Sequence, residues 1–302
     1  MANLPAVALA APPGRRRAVI ELARELEARG FAGAYCASFG DAVGLCEALA
    51  LTTSRIPFGT AIANLYTRQV SDYAQTAALI HELSGGRFHF GVGVSHAPVN
   101  ARLGVRAGRP LADMRAFVEA FAKSQQHAGE LPPVVVAALR RRMVALAGEI
   151  ADGVVFANAA RSHMRESLAA LPPAKRGDPK FFVGDMIPTC ISDDRAAAME
   201  RNRKTLVMYV SLPNYRNYWI EAGYAEEMAA IAKALERGER DRITQLMSDR
   251  WLADVSLFGT AAEVREGVEA WFDAGVRTPI VVPSSASGNQ IKAFEELFAA
   301  FD

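Results

Sequence analysis

Residues 55–96 read RIPFGTAIANLYTRQVSDYAQTAALIHELSGGRFHFGVGVSH. The apolar run RIPFGTAIAN has the length and composition of a buried strand, and VSDYAQTAALIHEL reads as a helix with Ser71 as its N-cap. Ser84, Gly85 and Gly86 then stop that helix and reverse the chain, and Arg87 opens a second short strand, RFHFGVGV. Strand, helix and strand in one stretch form a crossover unit, whose two strands run parallel.

The same alternation extends in both directions. Upstream lie a strand VALA and a helix RRRAVIELARELEARG, with Ile20, Leu22, Ala23 and Leu26 near helical spacing and Gly30 at its end. A strand FAGAYCAS and a helix opened by Asp41 follow. Downstream, the strands PPVVVAAL, GVVFAN, KFFVGDMIPTC and TPIVVP are separated by helices, one of them starting at Asp193, and NQIKAFEELFAAF closes the chain as a helix. Eight strands with short links predict an α/β fold, a closed (β/α)8 TIM barrel, with residues 1–302 as one domain. Residues 212–250 break the rhythm with helical pieces and no strand, which predicts a helical insertion late in the barrel.

Charge and composition narrow the function. A net charge of +1 gives no global field for nucleic acid or an anionic membrane, so the expected partner is a small molecule. No apolar stretch approaches the ~20 residues that span a bilayer. The start, MANLPAVALAAPPGRRRAV, places its arginines after the apolar run, which fits a first strand rather than a signal peptide. Cys36, Cys46 and Cys190 are widely spaced and read as reduced core residues of a cytoplasmic protein.

In barrels of this kind the site lies where the strands end. That rule selects Ala37, Ser38 and Phe39; Ala61, Ile62, Ala63 and Asn64; Gly93, Val94, Ser95 and His96; Ala137, Ala138, Leu139, Arg140, Arg141 and Arg142; and Ala157 and Asn158. Paired carboxylates and metal-ligand spacings are missing from this set. Small residues let a planar ring approach the backbone, and arginines suit a phosphate or polycarboxylate tail. His96 is the one group in the set with an ordinary pKa near neutrality, so it is a candidate for proton transfer or for a hydrogen bond to a ligand. Phe39, Tyr66 and Trp219 are aromatic candidates for a pocket wall, or plain core.

Four blocks in order carry a family resemblance: GTAIANLYTR at 59–68, ALIHELSGGRFHFGVGVSH at 78–96, PVVVAALRRRMVALAGEIADGVVFAN at 133–158 and GTAAEVREGVEAWFDAGVRTPIVV at 259–282. The chain resembles the luciferase-like monooxygenase superfamily, in particular its branch of coenzyme F420-dependent oxidoreductases. The resemblance implies a luciferase-like barrel and a non-proline cis peptide between Ala61 and Ile62, under the central ring of the cofactor. It implies proton transfer at the position of His96 in one branch, and a phosphate held at the turn where this chain has Arg140 and Arg141 in place of the usual glycine. Ser38 and Phe39 stand where some deazaflavin dehydrogenases have an Asp-His pair, and Leu65 stands where relatives often have proline.

The implied activity is hydride transfer between F420 and an unidentified small organic substrate. Two alternatives stay open: an FMN-dependent monooxygenase of the same superfamily, and a barrel that binds a flavin or deazaflavin without turnover. Relatives are often homodimers, and a nearly neutral, apolar chain permits that state.

Overall fold

Ten strands are present among residues 4–38 and 40–302, the part of the chain that the structure, a computed structural model, describes. They are β1 Ala6–Leu9, β2 Gly33–Ala37, β3 Phe58–Ala61, β4 Ala63–Asn64, β5 Phe88–Gly93, β6 Val134–Ala137, β7 Gly153–Ala157, β8 Phe182–Ile191, β9 Leu257–Gly259 and β10 Thr278–Ser284. Helices separate most of them, and the fold class is the (β/α)8 barrel. The chain divides into two compact units, Met1–Phe156 with Leu168–Gly184 and Ala157–Ser167 with Asp185–Asp302.

In the first unit the hydrogen-bonded order is β1-β2-β3-β5-β6-β7, with β4 beside β5, and these pairings are parallel. β1 and β2 are buried at every position, as parallel strands covered on both faces must be. β3 pairs with β2 as far as Ala61, and pairing resumes with Ala63 and Asn64 against Val92 and Gly93 of β5. The peptide bond between Ala61 and Ile62, at this interruption, is cis. Phe90 stacks on Phe121, ring centroids 5.0 Å apart, and packs on Phe117 and Tyr73, which seats the helices Val70–Leu83 and Pro110–Lys123 on the sheet.

Glycine thins β3 and β5 for a reason internal to the sheet. A Cβ on Gly91 would lie 1.8 Å from the carbonyl oxygen of Thr60, whose own hydroxyl donates to Gly91 O at 2.6 Å. At Gly59 the clash would be 2.4 Å from His89 O. Gly93 is less extreme, with Ile62 and Ala137 side-chain atoms 3.0 Å away.

Helix boundaries follow local chemistry. Asp41 caps Ala42–Thr52 by accepting from Gly44 N at 3.0 Å, and Gly30 ends Arg16–Arg29 at φ 79°. Ser71 is not a cap: the helix begins at Val70 after Gln69, so Ser71 sits inside the first turn. The preceding loop is held by Asn64, which accepts from Tyr66 N, Thr67 N and the Tyr73 hydroxyl, and Tyr73 N donates to Gln69 O. In LSGGR, Gly85 and Gly86 adopt positive φ, and the Arg87 guanidinium donates to Ser84 O, Ile56 O, Thr53 O and Thr53 Oγ1 at 2.8–2.9 Å.

In the second unit, β8 pairs with β9 in parallel and also with β10. The helix expected from Asp193 begins at Arg195, capped by Asp194. Residues 212–250 hold the helices Pro213–Glu221 and Ala225–Glu236, two single 3-10 turns and the start of Asp249–Val255, with no strand. Tyr215, Trp219 and Trp251 form an aromatic core there, Trp219 and Trp251 meeting edge to face at 4.9 Å. No helix among the described residues is long and apolar enough to cross a membrane.

Candidate active site

The strand ends of the first unit bring most of the selected residues together. Ala37 pairs with Ala61, Asn64 with Gly93 and Ala137 with Val155, and Leu65 N donates to Gly93 O at 3.0 Å. Side chains here are small: Ala37, Ala61, Ala63 and Ala138 are buried, and Ser38 beside them is exposed. Phe39 lies outside the described residues.

Asn64 acts as a strut. Its Nδ2 donates to Asn100 Oδ1 at 2.8 Å, and Asn100 Nδ2 donates to Val94 O at 3.0 Å, so one side-chain chain links the ends of β4 and β5. The Asn64 side-chain oxygen accepts from Tyr66 N at 3.1 Å, and its carbonyl accepts from the Tyr73 hydroxyl at 2.8 Å. Asn100 is buried and carries half of this link, yet nothing in its sequence neighbourhood marks it. Tyr66 is half-buried and donates to Asp113 Oδ2 at 2.6 Å; burial first, then that bond, pushes its hydroxyl pKa up.

Past β5, Val94 and His96 flank Ser95, which is left-handed at φ 56°. All three are half-buried. His96 leads in extended form into the short helix Ala97–Arg102, and its carbonyl accepts from Asn100 N at 2.9 Å. Burial lowers its pKa below the ordinary imidazole value of 6.5, so the ring is neutral at pH 7.

Past β6, Leu139 is half-buried and Arg140, Arg141 and Arg142 are exposed. Arg140 is the N-cap of Arg141–Ile150; no side chain caps that helix and its first turn holds no acid. Basic side chains beside the exposed N–H groups of a helix start favour an anion there.

Asn158 belongs to the second unit. It follows β7 in a left-handed conformation, φ 54°, and is buried. Its carbonyl accepts from Trp219 Nε1 at 3.2 Å, so Trp219, fully buried, is core that supports Asn158 and not a pocket wall. The hydroxyls of Tyr209 and Tyr215 reach the Asn158 side chain. Asp185 of β8, 0% exposed, lies beside the same turn, and burial drives its pKa well above the carboxylate range against N–H bonds from Ala159 and Met186. Its one sequence signal was an acid inside an apolar strand, a placement that is rare without a reason.

Among the described residues no group of three or more His, Cys, Asp or Glu is arranged to hold a metal ion. The strand ends of the first unit therefore offer small side chains, a neutral imidazole and a basic helix start.

A family model described as luciferase-like monooxygenase matches residues 3–278. A protein of Mycobacterium tuberculosis, provisionally named a coenzyme F420-dependent oxidoreductase, is 25% identical over 283 residues, covering 78% of this chain and 81% of its own. The 5,10-methylenetetrahydromethanopterin reductase of Methanolobus tindarius is 25% identical over 284 residues, covering 84% and 85%. Among solved structures, the coenzyme F420-dependent tetrahydromethanopterin reductase of Methanopyrus kandleri superposes with a TM-score of 0.78 at 19% identity, over 100% of both chains.

Proposed function

The chain belongs to the luciferase-like monooxygenase family, and from that premise we propose that it is an oxidoreductase that moves a hydride between coenzyme F420 and a small organic substrate. The observation that carries this reading is the pairing, in the first unit, of strand ends bearing small side chains with an uncapped, acid-free helix start carrying Arg140, Arg141 and Arg142. The floor suits a planar ring and the helix start suits a phosphate, and the name of the Mycobacterium tuberculosis relative supports the deazaflavin over other ring systems.

When bound, the deazaflavin supplies the hydride donor or acceptor. The chain supplies the rest. Ala61, Ile62 and Ala63 with Gly93, Val94, Ala137 and Ala138 form the floor, and Ser38, Ser95 and Leu139 flank it. Asn64 holds the floor rigid, and Arg140 and Arg141 grip the phosphate. His96 exchanges the proton that accompanies hydride transfer, and its neutral ring at pH 7 is in the form that accepts one. The protein acts in the cytoplasm, where Cys36, Cys46 and Cys190, all buried and free, stay reduced.

The family's name favours a second reading, an FMN-dependent monooxygenase. One experiment separates the two. The purified protein is titrated with F420 and with FMN, and cofactor absorbance is then followed with candidate substrates. Micromolar binding of F420 and not FMN, with absorbance change on substrate addition, is the expected result. The reverse preference supports the monooxygenase, and binding without turnover makes the protein a carrier.

A further inference from the structure

Between β5 and the helix Pro110–Lys123 the chain leaves the sheet through residues 94–109, which carry His96 and the short helix Ala97–Arg102. The first half of this excursion is anchored, because Asn100 accepts from Asn64 Nδ2 at 2.8 Å and donates to Val94 O at 3.0 Å. The second half forms a looser strap. From Leu103 to Arg109 every residue but Val105 is exposed, and Gly104 turns the chain at φ 67°. Its last tie to the short helix is Val105 N donating to Asn100 O at 2.9 Å, and among the described residues 106–108 make no hydrogen bond to other main-chain groups. A segment with exposed backbone and so few ties opens readily unless a side chain holds it.

Tyr66 is that side chain. It sits in the loop after β4, where its N–H donates to Asn64 Oδ1 at 3.1 Å, and its hydroxyl donates to Asp113 Oδ2 at 2.6 Å. The Gly108 N–H faces the same hydroxyl. A Cβ on Gly108 would stand 2.6 Å from that Asp113 oxygen and would push the carboxyl off the phenol. Asp113 belongs to the first turn of Pro110–Lys123, and its own N–H donates to Arg109 O at 2.9 Å. Loop, strap and helix therefore meet at one phenol. Phenylalanine would fill the same half-buried place without desolvating a hydroxyl and a carboxylate, so packing does not account for the polar pair.

The charge of the strap shows what it closes on. Residues 97–109 hold Arg102, Arg106 and Arg109 and no acid. The helix that follows packs, in the same unit, against Arg141–Ile150, and the Arg115–Glu149 ion pair joins the two. The strap and the turn of Arg140, Arg141 and Arg142 thus head neighbouring helices, and cations on both favour an anion beside them.

We propose that Tyr66 and Asp113 are positioning residues: their hydrogen bond latches residues 103–109 to the ends of β4 and β5, and the latched strap keeps the anionic cofactor from leaving the site. The proposal rests on the cofactor reading for the identity of that ligand, and on contacts within the first unit for the latch itself.

The test uses Tyr66→Phe, which removes the hydroxyl and keeps the ring, Asp113→Ala, which removes the acceptor, and Asp113→Asn, which keeps one. Three quantities are measured on the full chain. They are tryptic cleavage after Arg106 without cofactor and at saturating F420, the dissociation rate of F420 by stopped-flow absorbance, and melting temperature. FMN replaces F420 if the parent binds that instead. The Phe and Ala variants are expected to be cut after Arg106 about tenfold faster than the parent and to release the cofactor about tenfold faster, with a melting temperature close to the parent's. Saturating cofactor shields Arg106 in the parent and not in these two variants. The Asn variant stays within about threefold of the parent in both rates. Parental cleavage after Arg106 in the Phe or Ala variant shows that there is no latch and overturns the proposal. Faster cleavage with parental cofactor release also overturns it, since the bond then serves the loop alone. So does a fall in melting temperature with cleavage spread over other arginines, the pattern of a merely structural pair. If the parent binds neither F420 nor FMN, the cofactor reading fails and the positioning role with it, while cleavage after Arg106 still decides whether the latch exists.

Discussion

At the scale of single residues, two histidines have opposite surroundings and one shared direction of shift. His96 stands at a strand end, while His89 lies within β5, stacked on Tyr35, with the Tyr35 hydroxyl 3.2 Å from its Nδ1. Burial lowers both below 6.5. For His96 the consequence is kinetic. In the direction in which it accepts a proton, kcat/KM stays flat as pH falls through 6.5 and declines only below it. His96→Gln lowers kcat about 100-fold, leaves F420 affinity within about threefold, and removes that acid limb. A rate–pH series on both proteins checks this; an equal rise in KM with kcat intact makes His96 a binding group instead. For His89 the consequence is stability. The unfolded chain binds the proton at 6.5 and the folded one only at lower pH, so the unfolded state holds more protons between the two values. Stability conferred by the neutral ring is complete above 6.5 and is lost as pH falls through that window. Melting temperature at pH 5 and pH 7.5 should differ less in His89→Gln than in the parent.

At the scale of elements, the contacts around β3 and β5 rank substitutions that look alike in sequence. Gly91→Ala sets a methyl 1.8 Å from a main-chain oxygen, which no side-chain movement relieves, and should cost about 3 kcal/mol or more. Gly93→Ala needs Ile62 to give by a few tenths of an ångström and should cost about 1 kcal/mol. Urea unfolding of the two variants tests the order. Arg87→Ala strips donors from Ser84, Thr53 and Ile56 carbonyls and should destabilise by about 3 kcal/mol while leaving F420 affinity unchanged. Equal denaturant midpoints for variant and parent would show those bonds to be idle. The strands and helices were legible because each is a local pattern: a buried run, a spacing, a cap such as Asp41. Ser71 misled because Gln69 already turns the chain, for reasons that sit in Asn64 and Tyr73. β9 has three residues, too few for any period. Asn100, Asp185 and Trp219 matter through partners 36, 26 and 61 residues away, and such pairings have no local signature.

At the scale of the whole molecule, three exposed leucines fall on one pair of helices. Leu51 is 72% exposed, Leu79 52% and Leu83 48%. They lie on the helices Ala42–Thr52 and Val70–Leu83, which pack against each other in the first unit. Single exposed leucines need no explanation, but several on one pair of helices do. Covering each of these partly exposed side chains contributes about 1–2 kcal/mol, and a net charge of +1 sets up little repulsion between two copies. We propose these helices as the surface of the homodimer that the composition permits. Sedimentation at micromolar concentration should therefore give about twice the 32.5 kDa chain mass. The double variant Leu79→Lys, Leu83→Lys should sediment as a single chain with its circular dichroism intact, because neither side chain belongs to the core. A variant that keeps the parent's mass would move the interface elsewhere, and a parent that sediments as one chain at every concentration would remove it.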